Sequence, residues 1–318
     1  MDDTYEDLPL FSRGGPRADA ERSSQSTLNA SSSLSAAINS WGEALEEQGR
    51  SIHTVKAFTG DLRLVAKFLG GGQPLQQIST SDLKNFLDWM LHHRGVPCSP
   101  KTYARRITSI KSFYRWLVEA GVLSKDPADA IPQQSVISPL PEVLTQEEMS
   151  LAVEAAQAMR EANPPDARPY TLLTLLLETG IKKGECLNIH LNNIDLEASE
   201  GPLLYVRYGR VSKRYKERKI PLSGEWVAAY REYVKQYKPD DRLFPWSPRR
   251  LEYLLEEVGE TAGIEKHLSF DMCRWTSALQ DTLEGEDKDT IRQKLGISKI
   301  QWREVGNKLA RLADQVAD

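Results

Sequence analysis

Lys101, Arg105, Thr108, Ser112 and Arg115 follow one another at intervals of four, three, four and three residues, which lines their side chains along one face of an α-helix. Cations alternating with hydroxyls on one face suit contact with a phosphate backbone and base edges, because a helix of about 10 to 12 Å diameter fits a DNA major groove. Lys56, Arg63 and Lys67 continue the theme upstream at intervals of seven and four. Polar residues at helical spacing also line ordinary solvated faces, so spacing alone leaves both readings open. Other chemistries are excluded more firmly. His92 and His93 are adjacent, hence point in different directions on a helix, and no second pair or carboxylate stands at metal-ligand spacing. Cys98, Cys186 and Cys273 are far apart and form no Cys-x-x-Cys pair, so neither a disulfide framework nor a zinc site is expected, only reduced thiols in or near cores. Gly70-Gly-Gly72 lacks the downstream Gly-Lys-Thr/Ser of a phosphate loop and reads as a plain loop. With no nucleophile elbow or nucleotide fingerprint either, no cofactor or metal is expected.

The elements that must hold these residues follow from apolar periodicity. Leu34, Ile38, Trp41 and Leu45 mark a first helix. Val55, Phe58, Leu62, Val65 and Leu69 mark a second, capped by Ser51 and ended by the glycine run, with Lys56, Arg63 and Lys67 on its other face. Ser79-Thr-Ser-Asp82 starts a third, with Leu83, Phe86, Leu87 and Met90 as its stripe. Ser99-Pro-Lys101 starts a fourth, whose Tyr103, Ile107, Ile110, Tyr114 and Leu117 face inward. Four amphipathic helices in about a hundred residues make a small bundle. Before it, residues 1–32 are acidic and Ser-rich, with few groups to bury, and are expected to be disordered.

After the bundle, taken as residues 33–131, Pro132, Pro139 and Pro141 punctuate a linker over 132–142. The second domain, 143–318, opens on the capping-box pattern Thr145-Gln-Glu-Glu148. An apolar helix runs from Tyr170 to Thr179; Leu203–Tyr208 and Lys216–Leu222 read as a hairpin; the rest, from Trp226, has helical period. The fold class is therefore mainly α: a four-helix bundle, then an α-rich domain with a small antiparallel β-sheet.

A chain of 318 residues with 40% hydrophobic and 27% charged content describes two ordinary globular domains. No apolar run approaches the roughly 18 residues of a membrane span, and the N-terminus lacks a secretory pattern, so a cytoplasmic protein is expected. The net charge of −4 argues against a uniformly basic nucleic-acid binder. Residues 34–140, however, carry twelve Lys and Arg against nine Asp and Glu, and the basic excess sits there alone.

The segments SIHTVKAFTGDLRLVAKFL, SPKTYARRITSIKSFYRWL and DPADAI resemble the SAM-like core-binding domain of the tyrosine recombinase or phage integrase family, in its Xer-like branch. The likeness continues in Thr179-Gly-Ile-Lys-Lys-Gly-Glu185, similar to the family's Thr-Gly-x-Arg-x-x-Glu box, and in His267–Leu279 and Gln293–Gly306, which carry the frame His-x-x-Arg, Leu-Gly-His and a distal Tyr. The resemblance implies a bundle that contacts DNA grooves as half of a clamp. It also implies roles for six positions: Lys182 where the family has a phosphate-binding Arg, Lys213 as the strand-turn lysine, Asp271 in place of a His, Arg274 as the second Arg, Ile297 in place of the second His, and Gly306 in place of the nucleophilic Tyr. Four of the six are changed. An ammonium lacks the bidentate fork of a guanidinium, an aspartate repels phosphate unless it pairs with Arg274 one turn away, and glycine offers no nucleophile. No Tyr occurs between Leu254 and Asp318 to take its place.

The expectation is a DNA-binding relative of these recombinases, unable to cleave or rejoin strands, with an architectural or accessory role in DNA recombination or integration. Its DNA contacts would be Lys56, Arg63, Lys67, Lys101, Arg105, Thr108, Ser112, Arg115, Lys182, Lys213 and Arg274. Two alternatives stay open: a protein-interaction scaffold that has lost DNA binding, and an active recombinase with displaced chemistry. Val305, Leu309, Leu312 and Val316 give the last helix an apolar stripe, for packing on its own domain or, as the resemblance implies, for docking on another copy or on an active recombinase.

Overall fold

The computed structural model describes residues 28–133 and 139–317. The chain divides into two compact units, 1–139 and 140–318. In the first, α1 (Leu34–Glu47), α2 (Ile52–Leu69), α3 (Thr80–His92) and α4 (Pro100–Glu119) form the expected bundle. Each helix begins at a serine whose hydroxyl accepts an otherwise unpaired backbone N–H: Ser33, Ser51, Ser79 and Ser99. At Ser79 the Asp82 carboxylate returns the bond to the Ser79 N–H at 2.8 Å. The apolar stripes meet around Trp41, whose ring stacks on Phe58 at 6.0 Å and meets Phe113 edge-on at 5.4 Å. All three are at most 9% exposed, and removing such an aromatic from a core costs about 3 to 5 kcal/mol.

Order begins before the bundle. Residues 28–32, expected within the disordered tail, instead form a turn that is tied to the segment before α3, Gln76 N–H donating to the Ala30 carbonyl at 2.9 Å and Leu75 N–H to that of Ser32 at 3.0 Å. Leu28 packs against the bundle core, so a single apolar residue plus two backbone bonds order a stretch whose composition is polar. Residues 1–27 lie outside the described part of the chain, as do 134–138 of the expected linker.

The second unit runs α5 (Gln146–Glu161), α6 (Arg168–Thr179), α7 (Lys183–Cys186), β1 (Ile194–Asp195), β2 (Leu203–Val206), β3 (Arg218–Pro221), α8 (Gly224–Tyr237), α9 (Pro248–Thr261), α10 (Phe270–Leu283), α11 (Lys288–Lys294) and α12 (Lys299–Ala317). Thr145 and Glu148 cap α5 reciprocally, as their spacing predicts. Helix α6 is central: Leu172, Leu173, Leu175 and Leu176 are fully buried, and Trp226 Nε1–H donates to the Thr171 carbonyl at 3.1 Å. The antiparallel sheet has the order β1-β2-β3, with Leu204 opposite both Ile194 and Ile220. Strand β1 adds to the expected hairpin, and its two residues are too short to show a period. The tip of the hairpin is a 3₁₀ turn, Val211–Lys216.

A separate small core, Ala278, Leu279, Ile291, Leu295, Leu309 and Leu312, joins α10, α11 and α12, with Leu140 and Val143 against it. The stripe of α12 is therefore spent within its own unit, apart from Val316, which is exposed. The three cysteines are free, Cys186 and Cys273 fully buried and Cys98 half-buried. Among the described residues no helix is long and apolar enough to cross a membrane, and no group of His, Cys, Asp and Glu could hold a metal ion.

Candidate functional site

Helix α6 stops at Gly180, whose left-handed backbone (φ 57°) turns the chain sharply. Ile181 is buried, Lys182 follows, and α7 then sets Glu185 back toward it, the carboxylate accepting from the Lys182 N–H at 2.8 Å. Glu185 is 7% exposed. Its carboxylate also accepts from Arg218 Nη1 at 3.0 Å and Nη2 at 2.9 Å and from the Tyr208 hydroxyl. Burial alone would raise this acid; the paired guanidinium and the hydroxyl outweigh it and bring its pKa down to about 2. Arg218 Nε donates to the Lys294 carbonyl at 2.6 Å, and a Cβ at Gly296 (φ 57°) would lie 2.5 Å from Arg218 Nη1. Glycine is required there twice over, for the turn after α11 and for the close approach of the guanidinium.

Arg274, one turn into α10, makes the second tie. It donates from Nη1 to the Gly180 carbonyl and from Nη2 to the Leu295 carbonyl at 2.6 Å, joining the ends of α6 and α11. Burial lowers its pKa to about 10, with Glu185 opposing the shift. Lys182 stands beside these groups. Burial, then the charge of Arg274, lowers its pKa to about 8, against the pull of Glu185 and with Lys216 and Arg218 adding to the repulsion. Its ammonium has no hydrogen-bond acceptor among the described residues. One carboxylate thus lies amid four cations, Lys182, Lys216, Arg218 and Arg274; neither lysine ammonium has an ion-pair partner among the described residues, and both are partly open to solvent.

The six frame positions are not all brought together. Lys182 and Arg274 are neighbours. Lys213 is exposed at the hairpin tip, and it is Lys216 whose charge reaches Lys182. Asp271 is exposed and makes no direct ion pair with Arg274, although its charge still acts on that guanidinium; the Arg274 nitrogens bond the two carbonyls, turning across the helix ends instead of back along α10. Ile297 is half-buried against the small core of α10 to α12. Gly306 lies within α12 under the Trp302 indole, whose atoms sit 3.2 Å from where its Cβ would be.

In the bundle the basic faces also divide. Lys101 and Arg115 are exposed on α4, Lys56 and Lys67 lie on the outer face of α2, and Arg63 and Lys67 line a shallow groove with Ser35 and Asn39. Arg105 is half-exposed and pairs with the buried Asp61, which Arg106 and Ser109 also reach, Ser109 Oγ–H donating at 2.8 Å. Thr108 donates back to the Ala104 carbonyl at 3.0 Å and accepts from Gln133. Ser112 does not belong to the face: it is 9% exposed, its Oγ lacks a partner, and the stripe curves inward there between Ile107 and Phe113.

Glu185, Tyr208, Lys216 and Arg218 had no assigned role in the sequence. Alternation gave a signal for one of them: Arg218 shares its strand face with Ile220, which is 3% exposed, and an arginine on a buried face demands a carboxylate.

The chain thus joins a four-helix bundle to a mostly helical unit with a small antiparallel sheet. The "Phage integrase, N-terminal SAM-like domain" matches residues 38–121 and the "Phage integrase family" matches residues 142–303. The chain belongs to the phage integrase family. Tyrosine recombinase XerC of Mycobacterium tuberculosis (strain ATCC 25177 / H37Ra) is 33% identical over 165 residues, 51% of this chain and 54% of that protein, so the chain spans about half the length of that relative. Tyrosine recombinase XerC of Xanthomonas campestris pv. campestris (strain B100) is 26% identical over 303 residues, 91% of this chain and 90% of that protein. Among solved structures, XerH bound to palindromic difH substrate shares the fold at a TM-score of 0.68 and 16% identity, covering 90% of this chain and 84% of that one. A lambda integrase dimer bound to a COC' core site does so at 0.68 and 14%, covering 88% and 78%.

Proposed function

We propose that this chain binds double-stranded DNA without cleaving or rejoining it, acting as an architectural or accessory member of its family. The observation that carries the reading is the Lys182 ammonium, unpaired among three further cations and partly open to solvent. A phosphate oxygen is the acceptor it lacks. Strand cleavage needs a hydroxyl poised for in-line attack, and Gly306, covered by Trp302, has none. DNA as ligand is supported by the similar structures of XerH with difH and lambda integrase with its core site. Assembly of several copies is supported by the lambda integrase tetramer on a Holliday junction, which shares the fold at a TM-score of 0.68.

The test is a mobility-shift titration of a duplex at two salt concentrations, with a nicked suicide duplex run on a denaturing gel in parallel. A salt-dependent shift with no covalent adduct is expected. A covalent adduct would establish a recombinase with displaced chemistry. A second reading, a scaffold without DNA affinity, is favoured by one observation: Arg218 and Arg274 are both occupied by the protein's own acceptors. Absence of a shift at either salt would establish it.

A further inference from the structure

The two most exposed large hydrophobic side chains of the described residues lie four positions apart at the hairpin tip: Val211 is 75% and Tyr215 64% exposed. Around them, residues 207–217 carry five cations, Arg207, Arg210, Lys213, Arg214 and Lys216, against the single carboxylate of Glu217. An aromatic ring standing in solvent amid cations is not core packing.

The ring is presented on a braced support. Lys213 N–H donates to the Arg210 carbonyl and Glu217 N–H to that of Arg214, both at 2.9 Å. The neck is closed by Tyr208 N–H donating to the Glu217 carboxylate at 2.9 Å. The far end is anchored in the buried pair, because the Lys216 carbonyl accepts from Arg218 Nη1 at 3.2 Å while that guanidinium grips Glu185. Lys216 Nζ covers one face of the Tyr215 ring, 5.1 Å from its centroid. The side chain is otherwise exposed.

We propose that Tyr215 is a stacking platform for an unpaired nucleobase, so that the chain holds DNA with a bulged or displaced nucleotide more tightly than fully paired duplex; this rests on the DNA-binding reading above. Every base has a π face, so a lone aromatic takes any of them without sequence preference, provided that the base is already out of the helix. The cation on the ring's other face strengthens the platform. Lys216 also links it to the phosphate seat, since its charge is felt at Lys182. A nucleotide stacked on Tyr215 would present its phosphate to that cluster.

The experiment uses the full chain with a 25-base-pair duplex carrying one bulged 2-aminopurine and with its fully paired counterpart. Quenching of 2-aminopurine and about tenfold tighter binding of the bulged DNA are expected. Tyr215→Ala should lose both the quenching and the preference while keeping its affinity for paired duplex, and Tyr215→Phe should keep all three. Binding of both DNAs with equal affinity and no quenching overturns the inference and leaves the proposed function standing, as does a Tyr215→Ala chain that retains the preference. No binding to either DNA overturns both.

Discussion

Arg218 holds Glu185 with both terminal nitrogens, at 3.0 and 2.9 Å, in a pair whose side chains are 8% and 3% exposed. Removing one member leaves a buried charge without its partner, so Arg218→Ala should cost on the order of 3 to 5 kcal/mol in urea denaturation. Gly296→Ala should cost at least about 1 kcal/mol by the same measure, because its Cβ would meet that guanidinium at 2.5 Å in a left-handed backbone.

The same pair sets an acid limit. Glu185 titrates near 2 in the folded chain, from an ordinary value of 4.5. A depressed acid stabilises the fold above its unfolded pKa and loses that contribution as pH falls through the folded one. About 3 kcal/mol should therefore disappear between roughly pH 5 and pH 2. Denaturation midpoints across that window should fall for the natural chain and fall less for Glu185→Gln, which starts lower.

Lys182, brought down to about 8, should lose its charge within the alkaline range that DNA assays tolerate. Binding measured by fluorescence anisotropy should weaken as pH rises from 7 to 9, since only the protonated amine attracts phosphate. Lys182→Met should bind more weakly at pH 7 and respond less to pH, with no loss of folding stability, because the buried positive charge is disfavoured in the folded state.

The bundle was legible because its signals are local: a serine start expected for three of the four helices, apolar residues at helical intervals and a glycine run after α2. Sites built from distant parts were not. Glu185 and Arg218 are 33 residues apart, Arg274 and Gly180 are 94 apart, and no periodicity links such positions. Ser112 fails for a related reason. Intervals of three and four follow a stripe along an ideal helix, but the width of the buried sector is set by what packs against it, and at Ser112 that sector has widened.

The two readings of α4 separate in one comparison. Lys101→Glu should weaken DNA binding and lower the slope of log affinity against log salt by about one for each phosphate that is no longer neutralised. Ser112→Ala should leave binding unchanged and be neutral or stabilising to thermal unfolding, as its buried hydroxyl forms no hydrogen bond.

Placing a tyrosine at position 306 should not produce cleavage. Gly306→Tyr places a side chain against the Trp302 indole, Ile297 still supplies no hydrogen-bond donor, and Lys182 still lacks the bidentate fork. The variant should give no covalent adduct with the nicked duplex, and the denaturing gel that tests the natural chain reads this directly.

Helix α12 has a further consequence for any assembly. Leu309 and Leu312 are already seated beside Leu279 and Ile291 of the same unit, so a neighbouring copy could receive this helix only in exchange for its own. Such an exchange leaves the amount of buried surface nearly constant. It would be driven by concentration, limited in rate by release of the helix, and hinged at the Gly296–Ser298 turn.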